Sequence, residues 1–268
     1  MKENVMAALK RAYEKLEQLG YNVIAVMLYG SQNYGIDTVH SDIDLKAIVI
    51  PTYEDIIKGN KLISKTIEMN FGLVDIKDLR LMIECYKKQN LNFLETLITD
   101  YKIINPVYEE YINKIFNNEK IMRYDERRAI KCAYGMIKDV YHNAVKINVV
   151  DRYKEEEQRF VNKTFGNILR LSYFIYNYIH KIPYKDCITP SEDTLDYILK
   201  LRNNQILLTK DEFINRTEDI LDYLNNIIKI NEPYFKIDNS LEPLFDSVIE
   251  DIMYKFLLRE IEKRKILY

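Results

Sequence analysis

Two aspartates, Asp42 and Asp44, stand one residue apart in the stretch Ser41-Asp42-Ile43-Asp44-Leu45-Lys46. On an extended strand residues i and i+2 point to one face, so the pair would present two carboxylates roughly 6–7 Å apart along the chain. Carboxylates are the hard oxygen ligands that Mg2+ prefers, and they leave coordination positions for triphosphate oxygens and water. Two metals about 4 Å apart could activate an attacking hydroxyl and stabilise a leaving oxygen. Alone the pair is a weak signal, because surface strands carry such acids for solubility.

Upstream, Gly30-Ser31 closes the apolar run that begins at Asn22. A glycine there permits a tight turn and a close approach of backbone to ligand. Ser31 adds a hydroxyl and, with the next amides, a nest suited to phosphate. Gly35 is a second flexible point. Ser31 as an ordinary helix cap is compatible with this, since a helix start is where free N–H groups face an anion.

Leu28-Tyr29-Gly30-Ser31-Gln32-Asn33-Tyr34-Gly35, followed by Ser41-Asp42-Ile43-Asp44-Leu45-Lys46, resembles the signature of the DNA polymerase beta-type nucleotidyltransferase superfamily. More narrowly it is similar to a bacterial and phage branch of predicted nucleotidyltransferases, some of them linked to RNA repair. The resemblance implies an α+β fold, a polymerase beta-like mixed sheet with flanking helices, and then an all-helical domain. It implies Mg2+-dependent transfer of NMP from an NTP, with two ions expected and Mn2+ as a substitute. Gly30 and Ser31 fall on the pair that grips phosphates, and Asp42 and Asp44 on the paired metal ligands. Tyr34-Gly35 matches an extension typical of the branch, and Ser41 belongs to the same nucleotide-side motif. The segment Gln89-Asn90-Leu91-Asn92-Phe93-Leu94-Glu95-Thr96-Leu97 continues the likeness, with Leu91 where the branch commonly has proline. Past residue 120 the match is diffuse.

The superfamily uses a third carboxylate, and Asp75 is the leading candidate for both catalysis and metal binding. It stands between Val74 and Ile76 in strand context, just before a helix, where the branch carries an equivalent Asp. Asp78 reads as the cap of that helix, and Glu68 lies on a less defined strand. Lys46 should share the face of Asp44, to meet a phosphate or to balance the acids. Lys163 and Arg170, seven residues apart, would share a face of a long helix and could approach the triphosphate or a polynucleotide backbone. Arg123, Arg127, Arg128 and Lys131 form a second basic group, readable equally as a solvated face paired with Glu126 and Glu157. His40 precedes the acidic motif, but His40, His142 and His180 are too scattered for a zinc site.

These residues need elements to hold them. The pattern predicts a helix over about 2–19, a strand over 22–28 and a long strand running from 41 to 50 with a polar outer end. A helix or turn over 53–61, two strands within 64–76 and a helix over 79–87 follow. Asn92 and Glu95 fit a capping box, which gives Glu95 a structural role. From about 119 the patterns are helical: 121–145, 155–180 with an apolar face including Phe160, Val161 and Phe165, then 195–201, 209–228 and 244–266. The expected division is a catalytic domain over 1–115 and a helical domain over 116–268.

The bulk composition is permissive. Of 268 residues, 47% are hydrophobic and 30% charged, with 39 Lys and Arg against 41 Asp and Glu. This near balance gives no global electrostatic case for nucleic acid, although a local basic patch would serve. Three cysteines without close spacing read as reduced thiols in a cytoplasmic protein, and no membrane-spanning run appears. The expectation is therefore an enzyme that transfers a nucleotide to a hydroxyl acceptor, foremost an RNA 3′ end. The alternatives are a protein or small-molecule acceptor, such as an aminoglycoside, or an NTP-binding regulator that no longer transfers.

Overall fold

The computed structural model describes residues 2–38, 41–60, 62–146 and 155–265. His40 lies outside them. The chain divides into two compact units, each with its own core: Met1–Asn33, Asp42–Tyr124 and Asp238–Tyr268 form one, and Tyr34–Ser41 with Asp125–Ile237 the other.

The first unit carries α1 (Lys2–Gln18), β1 (Asn22–Tyr29), β2 (Asp44–Ile50), α2 (Tyr53–Lys58), β3 (Ser64–Met69) and β4 (Gly72–Asp78). After these come α3 (Leu79–Lys87), α4 (Leu91–Ile98), β5 (Lys102–Ile104), α5 (Glu109–Ile112) and α6 (Glu119–Met122). The strands form one mixed sheet in the order β3-β4-β2-β1-β5. Only the β2–β4 pairing is parallel; β1 runs antiparallel to both β2 and β5, and β3 to β4. Alternation along the strands assigns the faces. Leu45, Ala47 and Val49 of β2, Val74 and Ile76 of β4, and Val26 and Leu28 of β1 are buried with Val5, Leu9, Ala12 and Leu16 of α1. The 3.6-residue spacing of those α1 positions makes the helix cover this face. Lys46 and Asp75 therefore point the other way, toward the face on which α4 lies.

The sequence places β2 three residues too early. Ser41, Asp42 and Ile43 are outside the strand, which starts at Asp44. The Ile43 amide is instead drawn off the ladder to the carbonyl of Phe71, 2.7 Å away in the β3–β4 turn. The capping box at Asn92 is also corrected. Asn90 is the N-cap of α4 and its side chain accepts from the Asn92 amide. Glu95 thus sits one turn inside the helix, where it is buried.

The second unit is helical: α7 (Glu126–Lys146), α8 (Glu155–Ile179), α9 (Tyr184–Ile188), α10 (Glu192–Arg202) and α11 (Lys210–Asn231). Val161, Phe165, Ile168, Leu171, Phe174 and Ile175 of α8 are buried as their spacing requires, whereas Phe160 is exposed at the edge of that stripe. Asn162, also buried on α8, donates to the carbonyls of Leu201 and Ile206 and to Asn204 Oδ1 at 2.9–3.1 Å. These bonds fix the end of α10 against α8. The last helix, α12 (Glu242–Lys265), returns to the first unit and buries Phe245, Val248, Ile252 and Phe256. The chain is α+β, a mixed sheet with flanking helices followed by a largely helical region. The contiguous division at 115/116 remains a proposal about domains, since the compact units interleave along the sequence.

Candidate active site

In the first unit the polar ends of three strands come together. Tyr29, the last residue of β1, pairs with Asp44, the first of β2. Lys46 pairs with Asp75 across the parallel ladder. Because Asp44 and Lys46 are two apart on one strand, Tyr29, Asp44, Lys46 and Asp75 share one face.

Gly30 follows with φ +87°, a left-handed turn that favours glycine. A Cβ built there would lie 3.9 Å from Asp44 Oδ2, so the turn passes directly by that carboxylate. The Asn33 amide closes the turn onto the Gly30 carbonyl at 2.9 Å, giving a short 3-10 segment, Ser31–Asn33. The Gly30 amide donates to Glu95 Oε2 at 3.3 Å. Glu95 thus brings a buried carboxylate to the motif. Sequence reasoning gave it a structural role as a cap, although it lies in the segment that continues the family likeness.

Asp42 is exposed, while Asp44 is half-buried. Asp44 Oδ1 accepts from the Leu73 amide at 3.3 Å, tying the acid to the start of β4. Gly72 makes this contact feasible. Its φ is +147°, and a Cβ there would fall 2.4 Å from the Ile43 carbonyl oxygen. The β3–β4 hairpin therefore presses bare backbone against Ile43, the residue between the two aspartates.

Lys46 is only 3% exposed. Its Nζ lies 3.1 Å from Asp75 Oδ2, 3.8 Å from the centre of the Tyr29 ring and 4.1 Å from that of Phe93 on α4. Burial holds the ammonium below the usual lysine range, opposed by Asp75 and Glu95. The other oxygen of Asp75 is 3.0 Å from Lys77 Nζ. Tyr29 is pushed up to about 12, first by burial and then by the charges of Asp44, Asp75 and Glu95. Three carboxylates and one buried ammonium thus act on a single phenol, whose field is acidic on balance. Asp78 caps α3, accepting from the Arg80 amide at 2.9 Å, and holds the Arg80 side chain through Nε at 3.0 Å and Nη2 at 2.9 Å. Glu68 is exposed on β3.

The fit to Mg2+ is partial. Asp42 and Asp44 offer the right oxygen donors, but Asp75 has both oxygens engaged by lysines. Among the described residues no group of three or more His, Cys, Asp or Glu could hold a metal ion. Cys85, Cys132 and Cys187 form no disulfide with one another.

The second unit holds the remaining expected residues. Tyr34 is buried, and the guanidinium of Arg170 lies 4.1 Å above its ring. Gly35 is exposed with φ +70°. Ser41 Oγ accepts from the Thr38 amide at 2.9 Å. Arg170 is 6% exposed, whereas Lys163 on the same helix is exposed. Within the other basic group, Arg128 pairs with Asp125 at 3.4 Å and Arg127 with Glu232 at 3.8 Å. Glu126 pairs with Lys181. Two residues with no sequence signal join these sets: Phe93 over Lys46, and Arg202 beside Arg170.

No family model matches the chain. No curated protein matches it either. Among solved structures it is similar to a nucleotidyltransferase-like protein from Exiguobacterium sibiricum 255-15, at 10% identity and a TM-score of 0.29. The match covers 93% of this chain and 80% of that one. A likeness so distant carries no argument about activity, and the fold class rests on the elements themselves. Among the described residues no helix is long and apolar enough to cross a membrane.

Proposed function

We propose that the chain is a nucleotidyltransferase that moves NMP from an NTP to a hydroxyl acceptor, foremost an RNA 3′ end, with release of pyrophosphate. The observation that carries this reading is the passage of the left-handed Gly30 turn beside the Asp44 carboxylate at the open end of the sheet. Asp42 and Asp44 would hold Mg2+, which supplies charge neutralisation for the phosphates and a lowered pKa for a bound hydroxyl. Gly30 lets the backbone approach the nucleotide, and the Ser31 hydroxyl offers a hydrogen bond to a phosphate oxygen. Lys46 holds Asp75 on the Asp44 face, where its carboxylate orients the acceptor hydroxyl and takes its proton.

A second reading is an NTP-binding protein without transfer. It draws on the engagement of both Asp75 oxygens by Lys46 and Lys77. The two readings separate on one experiment. Each α-labelled NTP is incubated with the protein, Mg2+ and a cell extract, and the labelled class of macromolecule is identified. Asp42→Asn and Asp44→Asn are expected to bring labelling to background with circular dichroism unchanged. Equal labelling by either variant and the parent would sink the assignment. NTP binding with no label on any acceptor would favour the second reading.

A further inference from the structure

In the helical unit two arginines are held together with nitrogens that find no acceptor. Arg170, on α8, is 6% exposed, and its Nε and Nη1 are buried without a hydrogen-bond partner. Arg202, the last residue of α10, is half-buried, and its Nε is likewise buried without one. A guanidinium carries five donors and stays charged, so burying it with nitrogens unpaired is costly.

The fold brings them together deliberately. Gly166 lies one turn before Arg170 on α8, and a Cβ there would sit 3.3 Å from Ile198 Cγ2 and 3.9 Å from Arg202 Cγ. The bare backbone of Gly166 thus lets α10 close in and lays the Arg202 stem across α8 beside the Arg170 face. The buried Asn162 bonds lock that end of α10. Tyr34 lies under the Arg170 guanidinium, a stacked contact that orients the plane. Arg202 is held below the usual arginine range by burial first, with Arg170 adding to the fall and Asp37 opposing it. Among the described residues, Asp37 is the acid that acts on Arg202, and neither guanidinium forms an ion pair with it at salt-bridge distance.

We propose that Arg170 and Arg202 form an anion site that takes a phosphate group, with the Tyr34 ring as its floor. Two guanidiniums match a tetrahedral dianion in charge and in geometry, because each can offer a pair of parallel N–H donors to two phosphate oxygens. The anion would remove the repulsion between the two cations and satisfy their open nitrogens at once. Choosing phosphate over another oxyanion rests on the proposed nucleotide substrate; the site itself does not. Lys163, exposed one face-length away on α8, is no part of it.

The test is titration of inorganic tripolyphosphate into the full chain, with EDTA present so that no metal takes part, read by calorimetry and by thermal shift. Binding is expected, with a rise in Tm that grows with ligand concentration. Arg202→Gln and Arg170→Lys should each weaken it at least tenfold. Asp37→Asn should tighten it several-fold by removing the competing acid, an effect that a purely structural arginine pair would not produce. Asp44→Asn should leave it unchanged, so loss of transfer and loss of this site are separable. No binding by the parent, meaning that water alone satisfies the pair, would overturn the proposal. So would binding that Arg202→Gln leaves intact, or binding seen with a phosphodiester oligonucleotide but not with tripolyphosphate or inorganic phosphate.

Discussion

Lys46 Nζ lies 3.1 Å from Asp75 Oδ2, across the one parallel pairing of the sheet. The side chain of Lys46 is 4% exposed and that of Asp75 16%, so this is an ion pair set largely out of water. Breaking such a pair leaves a charge behind, whereas removing both members need not. Asp75→Asn is therefore expected to cost about 1.5–3 kcal/mol in urea unfolding. The double change Lys46→Met with Asp75→Leu should recover most of that. If the single and double changes are additive, Asp75 is not the group that neutralises Lys46. Any turnover assay of Asp75→Asn must accordingly be run well below its own unfolding temperature.

Two glycines should respond very differently to a methyl group. Gly20 has φ +85° with nothing near its added Cβ, so Gly20→Ala is expected to cost about 1–2 kcal/mol of backbone strain. Gly72→Ala adds a clash at 2.4 Å with the Ile43 carbonyl and should cost roughly 3 kcal/mol, and it should displace the 41–44 segment. Urea midpoints rank the two, and equal midpoints would mean that the hairpin does not press on Ile43.

The raised Tyr29 phenol fixes a direction for pH. Its folded value is about 12 against an ordinary 10.0, and Tyr141, raised by burial and by its bond to Glu218, reaches about 12 as well. A raised group leaves stability intact below pH 10, where both states are protonated. Between 10 and about 12 the unfolded chain has lost protons that the folded one keeps, so stability falls as pH rises. Unfolding midpoints taken from pH 9 to 12 should decline, and Tyr29→Phe should flatten part of that decline. An unchanged slope would remove Tyr29 as a contributor.

Asn162 provides a near-isosteric test of the helical unit. Asn162→Asp keeps the shape but replaces a donor that serves three oxygens with an acceptor facing them. A loss of about 3 kcal/mol is expected, seen as a lower Tm with the first unit's near-ultraviolet signal retained. A change below about 0.5 kcal/mol would mean that α10 is held by its apolar contacts alone.

Much of the first unit was legible because its strands alternate and its glycines punctuate them. Val74 and Ile76 are buried with Asp75 between them, and Asp78 caps α3, both as patterning implied. Asp42 was misplaced because period-two alternation in Ser41-Asp42-Ile43 imitates a strand, while a long-range hydrogen bond from Ile43 to Phe71 decides its path. Glu95 was misread for a related reason: Asn90 and Asn92 are equally good caps locally, and its contact with the Gly30 amide comes from a residue distant in sequence. Lys46 was read as meeting a phosphate or balancing the acids, and it pairs with Asp75. The rings of Tyr29 and Phe93 that enclose it, and the meeting of Arg170 with Arg202, depend on tertiary packing that no local pattern encodes.

The return of α12 to the sheet's unit also has a consequence for biosynthesis. Phe245 of this helix meets the ring of Tyr124 edge-on at 5.5 Å, Lys87 pairs with Glu242, and Lys114 with Asp251. All of these partners on the sheet side are translated before residue 125, yet they must wait while residues 125–237 are made, on the order of ten seconds at ordinary ribosomal speed. During that interval the apolar seat of α12 is open to chaperones and to neighbouring nascent chains. The intervening helices, whose two ends meet in the Asp125–Ile237 bridge, can close on themselves first. The sheet's unit is thus completed only after the helices that interrupt it in sequence.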